Sequence, residues 1–396
     1  MKKIVLSALI AATVGSVAAS ATQFYVDANG QVFTTAGEGR VALESKETAW
    51  YSHAEKLKFN ALAYLGYTNT DYRESGVEDT SKFELRRIYF QVKAHLMDDP
   101  KSYLRVTMDA TTKANDDSVS DQKEEYQAVI LKYAYLYLNE ILPTTGIELG
   151  IVHRPWIDYE EHNSWFYRNI SKVFVEADNS AHLTNSADLG FDIKTTTPYF
   201  SSEIGMFNGE GYHNKEDGKG NSLEWRATAH ILGTGKKQKD KYTTVTYWDA
   251  SFFGQYNLAS TKHADSNTPN TDDLIWGGLH TVFNTPEFQA SAQYVKSQDD
   301  SDDATKVYRY AGSGYSAHAV ARFGEQKEIA AFARYDKWTP EQPSGTATAD
   351  QRTYIVGASW QQNHNVQWVA NVTTTDIDAG SAKNGNSYMI TAQVEF

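Results

Sequence analysis

The clearest pattern in the chain lies at its end. Tyr388, Ile390, Ala392, Val394 and Phe396 fall on one face of an extended segment, and Met389, Thr391, Gln393 and Glu395 fall on the other. Successive side chains of a strand point to opposite sides, so this segment predicts a two-faced strand ending in an aromatic. The same alternation recurs along the chain. Leu57, Phe59, Ala61, Ala63, Leu65 and Tyr67 alternate with Lys58, Asn60, Leu62 and Tyr64. Ile88, Phe90, Val92, Ala94 and Leu96 alternate with Arg87, Tyr89, Gln91, Lys93 and His95. Leu104, Val106 and Met108 alternate with Tyr103, Arg105, Thr107 and Asp109, and Leu223 to Ile231 and Val366 to Val372 read the same way.

A strand that crosses a bilayer needs about 9–11 residues, apolar outward and polar inward. The pattern predicts sixteen such strands: 57–67, 83–96, 102–110, 126–139, 146–153, 188–196, 200–207, 223–233, 243–257, 273–284, 287–297, 314–323, 328–338, 352–361, 366–374 and 387–396. Lys132 breaks the alternation in the fourth. The connections alternate in length, with 97–101, 140–145, 324–327 and 362–365 short against 68–82, 111–125, 208–222, 298–313, 339–351 and 375–386 long, while 234–242 is longer than a short turn should be. That rhythm is the one bacterial barrels use, with short periplasmic turns and longer external loops. The expected fold is all-β: a transmembrane antiparallel β-barrel of about 16 strands over residues 54–396. Residues 22–53 precede the first clear strand and read as a periplasmic arm or plug.

Composition narrows the compartment. Lys2 and Lys3, the apolar run Ile4 to Val17 and Ala19-Ser20-Ala21 form a secretory leader, so residues 1–21 are expected to be removed on export. Together with the strand pattern, this makes the bacterial outer membrane the expected location of the mature chain, in contact with the lipid bilayer and lipopolysaccharide. Without the two leader lysines, 35 basic residues face 50 acidic ones, a charge of −15. A nucleic-acid binder carries a basic face instead. Cysteine is absent, which removes thiolate chemistry and Cys-based metal sites. With 25 Tyr, 17 Phe and 9 Trp the chain is rich in strand-forming aromatics. Trp248, Trp276, Trp338 and Trp360 are expected in the interface girdles or between subunits.

Sixteen closed strands leave an aqueous channel, so the expected job is passive diffusion of small hydrophilic solutes and ions. On this register Arg87, Lys93, Arg105, Arg226, Arg322 and Arg334 point inward, as do Asp109, Glu148, Glu224 and Asp336. The longest connection, 154–187, is expected to fold into the barrel as its third loop and to constrict it. Its Trp156, Ile157, Trp165, Phe166, Val173, Phe174 and Val175 need burial, and Arg154, Glu160, Glu161, Arg168 and Lys172 offer charge to the lumen. Two readings of these charges stand: a path for anions, or a solvated inner face whose charges pair with one another. The run Asp299 to Asp303 reads either as a divalent-cation bridge to lipopolysaccharide or as a plain solvated loop.

The competing function classes are a barrel enzyme, a structural or adhesive surface protein and a soluble periplasmic all-β binder. The sequence has no G-x-S-x-G and no H-E-x-x-H, and His95, His153, His162, His230, His280 and His318 lie on separate segments. The adjacent Glu160-Glu161-His162 do not converge on one ion in an extended chain. No catalytic residue, metal or cofactor is assigned.

Several short motifs carry a resemblance. Phe83-Glu84-Leu85-Arg86-Arg87 resembles the F-x-L-R-R segment of phosphate-selective porins of the O and P type. Ala134-Tyr135-Leu136, Gly150 to Pro155, Asp188-Leu189-Gly190 and Gly205 to Gly211 are similar to that family's A-Y-L, G-x-x-x-x-P, D-L-G and G-x-F-N-G-x-G elements. The resemblance covers roughly residues 55–235 and implies a 16-stranded homotrimeric porin with an inward third loop. It also implies phosphate passage along wall arginines and constriction lysines. Of the Arg86-Arg87 pair only Arg87 is inward on this register, and the 154–187 loop carries a single lysine, Lys172.

Overall fold

The computed structural model describes residues 25–27, 32–33, 35–38, 40–42, 56–96, 98–114, 125–212, 220–237, 245–258, 273–299, 311–341, 350–378 and 384–396. The leader at 1–21, the acidic run at 300–303 and several loop tips lie outside them. The chain divides into two compact units, residues 1–55 and 56–396. Within the first, β1 (Tyr25–Asp27), β2 (Val32–Phe33) and β3 (Arg40–Ala42) form an antiparallel sheet in the order β2-β1-β3. The Arg40 guanidinium lies 3.5 Å over the Phe33 ring.

The second unit is a closed antiparallel barrel of sixteen strands. In chain order these are β4 (Leu57–Tyr72), β5 (Thr80–His95), β6 (Tyr103–Ala114), β7 (Glu125–Leu142), β8 (Thr145–His153), β9 (Ala187–Thr196), β10 (Phe200–Phe207) and β11 (Ser222–His230). They continue with β12 (Tyr247–Asn257), β13 (Leu274–Asn284), β14 (Phe288–Asp299), β15 (Gly312–Phe323), β16 (Ile329–Pro340), β17 (Gln351–Gln361), β18 (Val366–Ile377) and β19 (Gly385–Glu395). Each pairs with its neighbours in sequence, and β19 returns to β4. Phe396 fastens that seam: its N–H donates to the Ala61 carbonyl at 2.9 Å, and the Ala61 N–H donates back at 3.3 Å. Closure matters because an open edge cannot satisfy its backbone groups in hydrocarbon.

All sixteen expected strands are present. The differences lie at their ends. Residues 231–233 form a turn, and β4 and β5 run on to leave only 73–79 between them.

The alternation has the expected sense. Phe59, Val129, Leu149, Leu279, Val356 and Ile390 are each more than half exposed on the outer face. That much outward apolar surface suits lipid rather than water. The opposite face is buried and mixes polar with apolar residues, as in β13, where Leu274, Trp276, His280, Val282 and Asn284 turn inward and Ile275, Leu279 and Phe283 outward. Trp248 and Trp360 are exposed on the outer face, as a girdle requires. Trp276 and Trp338 are corrected: both are buried, on residues of the inner-face pattern.

Two β-bulges alter the register. Tyr64 faces Arg87 while Leu65 faces Leu85, so Arg86 is an extra residue in β5. Thr107 faces Tyr133 while Met108 faces Leu131, so Lys132 is an extra residue in β7. A bulge shifts the two-residue repeat and brings two successive side chains to one side. The expectation that only Arg87 of its pair is inward is therefore corrected. Arg86 reaches Glu84 at 2.8 Å and the Ile170 carbonyl, while Arg87 pairs with Asp109.

Candidate functional site

The segment 154–186 joins β8 to β9. It opens with a helix, α1 (Pro155–Asn163), with Pro155 at its first position and Asp158 in its first turn. The strand before it needs Gly150, whose φ of +132° and 2.2 Å approach of any Cβ to the Ala134 carbonyl exclude a side chain. The helix went unrecognised in the sequence, although Pro155 followed by Asp158 is a helix-start signal.

The apolar residues of this segment find cover on the buried face of β12 to β18. Trp156 stacks on Phe253 at 3.5 Å with only 4° between the rings, and Tyr167 stacks on Phe332 at 4.0 Å. Trp165 lies beneath the Arg334 guanidinium, 4.7 Å from it, and Phe174 packs edge-on against Trp338. Polar contacts fix the same seat. The Tyr247 hydroxyl donates to the Asn163 carbonyl at 2.7 Å, Ser180 to Asp336 at 2.7 Å and Thr353 to the Asn179 carbonyl at 2.6 Å. Ser164 meets His280 at 3.1 Å and His318 at 3.4 Å.

Three cavities line up along the other wall, β4 to β8. The first, about 200 Å³, is lined by Tyr64, Arg86, Arg87, Arg168 and Lys172 and, among the described residues, by no carboxylate. The second, about 710 Å³, shares Tyr64 and Arg168 with the first and adds Lys58, Lys93, Arg105 and Lys132. Among the described residues its carboxylates are Glu161 and Glu395. The third, about 640 Å³, shares Arg105, His153 and His162 with the second and reaches Asn139 near the end of β7 and the turns at Thr144 and Gly235.

The sequence-predicted residues divide between the two sides. Arg87, Lys93, Arg105, Glu161, Arg168 and Lys172 line these cavities. Arg154, Glu160, Arg226, Arg322 and Arg334 line none of the three. Each is turned in but covered. Arg154 pairs with Asp188 and Glu224, Arg226 with Glu203, and Arg334 with Asp336. Arg322 bonds Asn284, and Glu160 accepts from Gln293. A buried charge needs such partners, so these residues serve the wall. Glu160, Glu161 and His162 point to three different partners, Gln293, Arg168 and Asp158.

The cations of the cavities are less matched. Among the described residues Lys93, Arg105 and Lys132 make no ion pair. Lys93 lies 4.5 Å over the Tyr103 ring, Arg105 4.7 Å over Tyr133 and Lys132 4.7 Å over Tyr89. Arg168 is shared by Glu161 and Glu176, the latter at 2.6 Å. Burial opposes the ionised form of Glu176, but Arg168 and Lys172 outweigh it and hold the carboxyl well below its usual range. Acid collects in the third cavity, which Glu140, Glu148 and Asp158 also line: Lys194 sits there within 3.9 Å of Glu148, Asp158, Asp192 and Glu203. Lys132, Arg86 and this caged Lys194 were missed from sequence.

Three histidines thought isolated also find company. His230 bridges Asp249 at 2.8 Å and Ser201 at 2.9 Å, the order of a hydrolase triad. Ser201 is buried, accepts from Arg226 at 3.0 Å and lines none of the three cavities. His280 and His318 share Ser164.

Burial pushes the Glu160 carboxyl up to about 7, with Arg334 and Gln293 acting against it. A raised carboxyl pKa stabilises the fold fully below its unfolded value, and the gain is lost as pH rises through the folded one. The seat of α1 is therefore expected to loosen as pH rises from about 4.5 to about 7. Protease cleavage within 154–186 should quicken over that range and stay flat in Glu160→Gln, which keeps the contact without the charge.

No family model matches the chain, and no curated protein matches it in sequence. Its fold is that of bacterial outer-membrane barrels. An outer-membrane OmpF of Salmonella typhi, solved with daunomycin, aligns over 86% of this chain and 97% of its own at TM-score 0.56 and 11% identity. In-vitro folded OmpT, an outer-membrane protein of Vibrio cholerae, aligns over 86% and 97% at TM-score 0.56 and 10% identity. OprB of Pseudomonas putida aligns over 88% and 98% at TM-score 0.52 and 9% identity.

Proposed function

We propose that the protein is an outer-membrane channel for passive diffusion of small hydrophilic solutes, with a preference for anions. One observation carries the reading: the 200 and 710 Å³ cavities share lining residues and are walled mainly by arginines and lysines, of which Lys93, Arg105 and Lys132 have no carboxylate partner among the described residues. Clusters of fixed charge at a narrow point select ions of opposite sign. The 154–186 segment lies in the lumen as the third loop, its aromatic side against β12 to β18 and Arg168 and Lys172 toward the open path. Its contacts with buried-face residues on β12 to β17 support that placement.

The chain is exported by its leader and works as a homotrimer in the outer membrane, among lipid and lipopolysaccharide. One of the Vibrio cholerae OmpT structures, at TM-score 0.53 and 10% identity, is described as a trimer form. Phosphate, the anion implied by the motif resemblance, is one permeant to test.

Planar-bilayer recording in a salt gradient tests the reading. The expected result is stable conductance with a reversal potential on the anion side. Cation selectivity would overturn the preference, and absence of conductance by refolded, heat-modifiable protein would overturn the channel.

A further inference from the structure

The open wall is as aromatic as it is basic. Tyr133, Tyr135 and Tyr137 alternate along β7 and share its inner face, beside Tyr103 on β6 and Tyr89 on β5. Tyr103 lies 5.1 Å from Tyr137 and 6.2 Å from Tyr135 between ring centres. Tyr133 lies over His153 at 3.9 Å, and Tyr89 meets Tyr64 edge-on at 6.0 Å. The rings thus continue through the 640 and 710 Å³ cavities. Lys93, Arg105 and Lys132 are laid between them, each over a ring face. Trp165 and Phe166 of the 154–186 segment line the larger cavity as well.

This lining is wrong for an inorganic anion alone. Such an ion is strongly hydrated, and ring faces return none of the hydrogen bonds it gives up. A neutral sugar leaves the cations unmatched. A small aromatic carboxylate meets both features. Its carboxylate accepts from Arg105 or Lys132, and its ring packs edge-to-face or offset against the tyrosines and Phe166. A cavity of 710 Å³ falls in the range of about 300–1,000 Å³ that binds compact organic ligands.

We infer that the channel carries a track for small aromatic carboxylates, of benzoate size, along β5 to β7 and Phe166. The inference rests on the anion reading above and goes further in naming the organic part of the solute. Each tyrosine supplies the next ring contact while the neighbouring cation holds the carboxylate, so the solute moves between sites of similar affinity. Movement of that kind requires binding that is favourable but divided over several positions.

Block of the chloride current by added benzoate, cyclohexanecarboxylate, glucuronate and phosphate tests it in the full refolded channel. Cyclohexanecarboxylate matches benzoate in charge and size without its ring electrons. Benzoate is expected to act at about a tenfold lower concentration than the other three, the size of effect that one or two aromatic contacts give. Phe166→Ala and Tyr103→Leu should each bring the benzoate-to-cyclohexanecarboxylate ratio toward one. The heat-modifiable gel band checks that both variants fold. Equal block by benzoate and cyclohexanecarboxylate, or by glucuronate, in a channel that still selects anions would overturn the track and leave the anion reading standing. So would an unchanged ratio in both folded variants. A reversal potential on the cation side would overturn the anion reading itself.

Discussion

Trp165→Ala is expected to unseat the 154–186 segment, raise single-channel conductance several-fold and weaken ion selectivity together. Trp165 is fully buried, lies under Arg334 at 4.7 Å and is edge-on to Phe332 and His318. Its indole N–H also donates to the Ser171 carbonyl at 2.9 Å, which folds the segment back on itself. Removing a buried Trp side chain costs about 3–5 kcal/mol. The seat is local, so the cost falls on the segment rather than on the sixteen-strand ladder. Arg334 then loses the ring beneath it, though it keeps Asp336. Arg168, three residues on, leaves the path, and selectivity declines with it. Conductance and reversal potential read on the same channels check this. A variant that folds into a heat-modifiable barrel yet conducts and selects as the parent does would show that the segment does not define the constriction. Trp165→Phe, which keeps the ring, should stay close to the parent in both readings.

The strands were legible because each is long, is flanked by turn residues and keeps one apolar face for lipid. That periodicity is local information, and it survives any uncertainty about partners. The two bulges were less legible, though not invisible. In β5 the outward residues are Phe83 and Leu85 before the bulge and Ile88, Phe90 and Val92 after it, a change from odd to even positions. The break at Lys132 is the same signal, since Val129 and Leu131 are outward before it. Reading the phase change as an inserted residue would have turned Arg86 and Lys132 inward from sequence alone.

Inwardness was legible; exposure to the open path was not. Arg226 and Arg105 alternate with apolar neighbours in the same way, yet one is paired with Glu203 under α1 and the other faces a cavity. What separates them is where the 154–186 segment rests. That depends on pairs far apart in the chain, such as Trp156 with Phe253 and Phe174 with Trp338. The inner positions of Trp276 and Trp338 follow from the same cause. Both belong to the aromatic bed on which that segment lies rather than to a girdle facing lipid.

Reversing two charges, Arg105→Glu with Lys132→Glu, is expected to invert the selectivity of the channel. Both cations line the 710 Å³ cavity, and among the described residues they meet rings and neutral groups rather than an ion-pair partner. Their field therefore acts on the path instead of on a neighbouring carboxylate. A unit charge about 8 Å from a passing ion, at an effective dielectric of about 20, contributes about 2 kcal/mol. Each reversal doubles that change, and about 1.4 kcal/mol already alters a ratio tenfold. Screening by salt in the path reduces the effect, but two reversals leave a margin large enough to change its sign. The cations that remain argue in the same direction. Arg168 is held by Glu161 and Glu176, and Arg87 by Asp109, so they supply less free field than their number suggests. The matching reversal at Arg226 and Arg334, whose charges are already neutralised inside the wall, should damage folding more than selectivity. A double variant at 105 and 132 that assembles normally and still prefers anions would move the selective charge away from this wall, to the cavity of Arg86, Arg87 and Lys172.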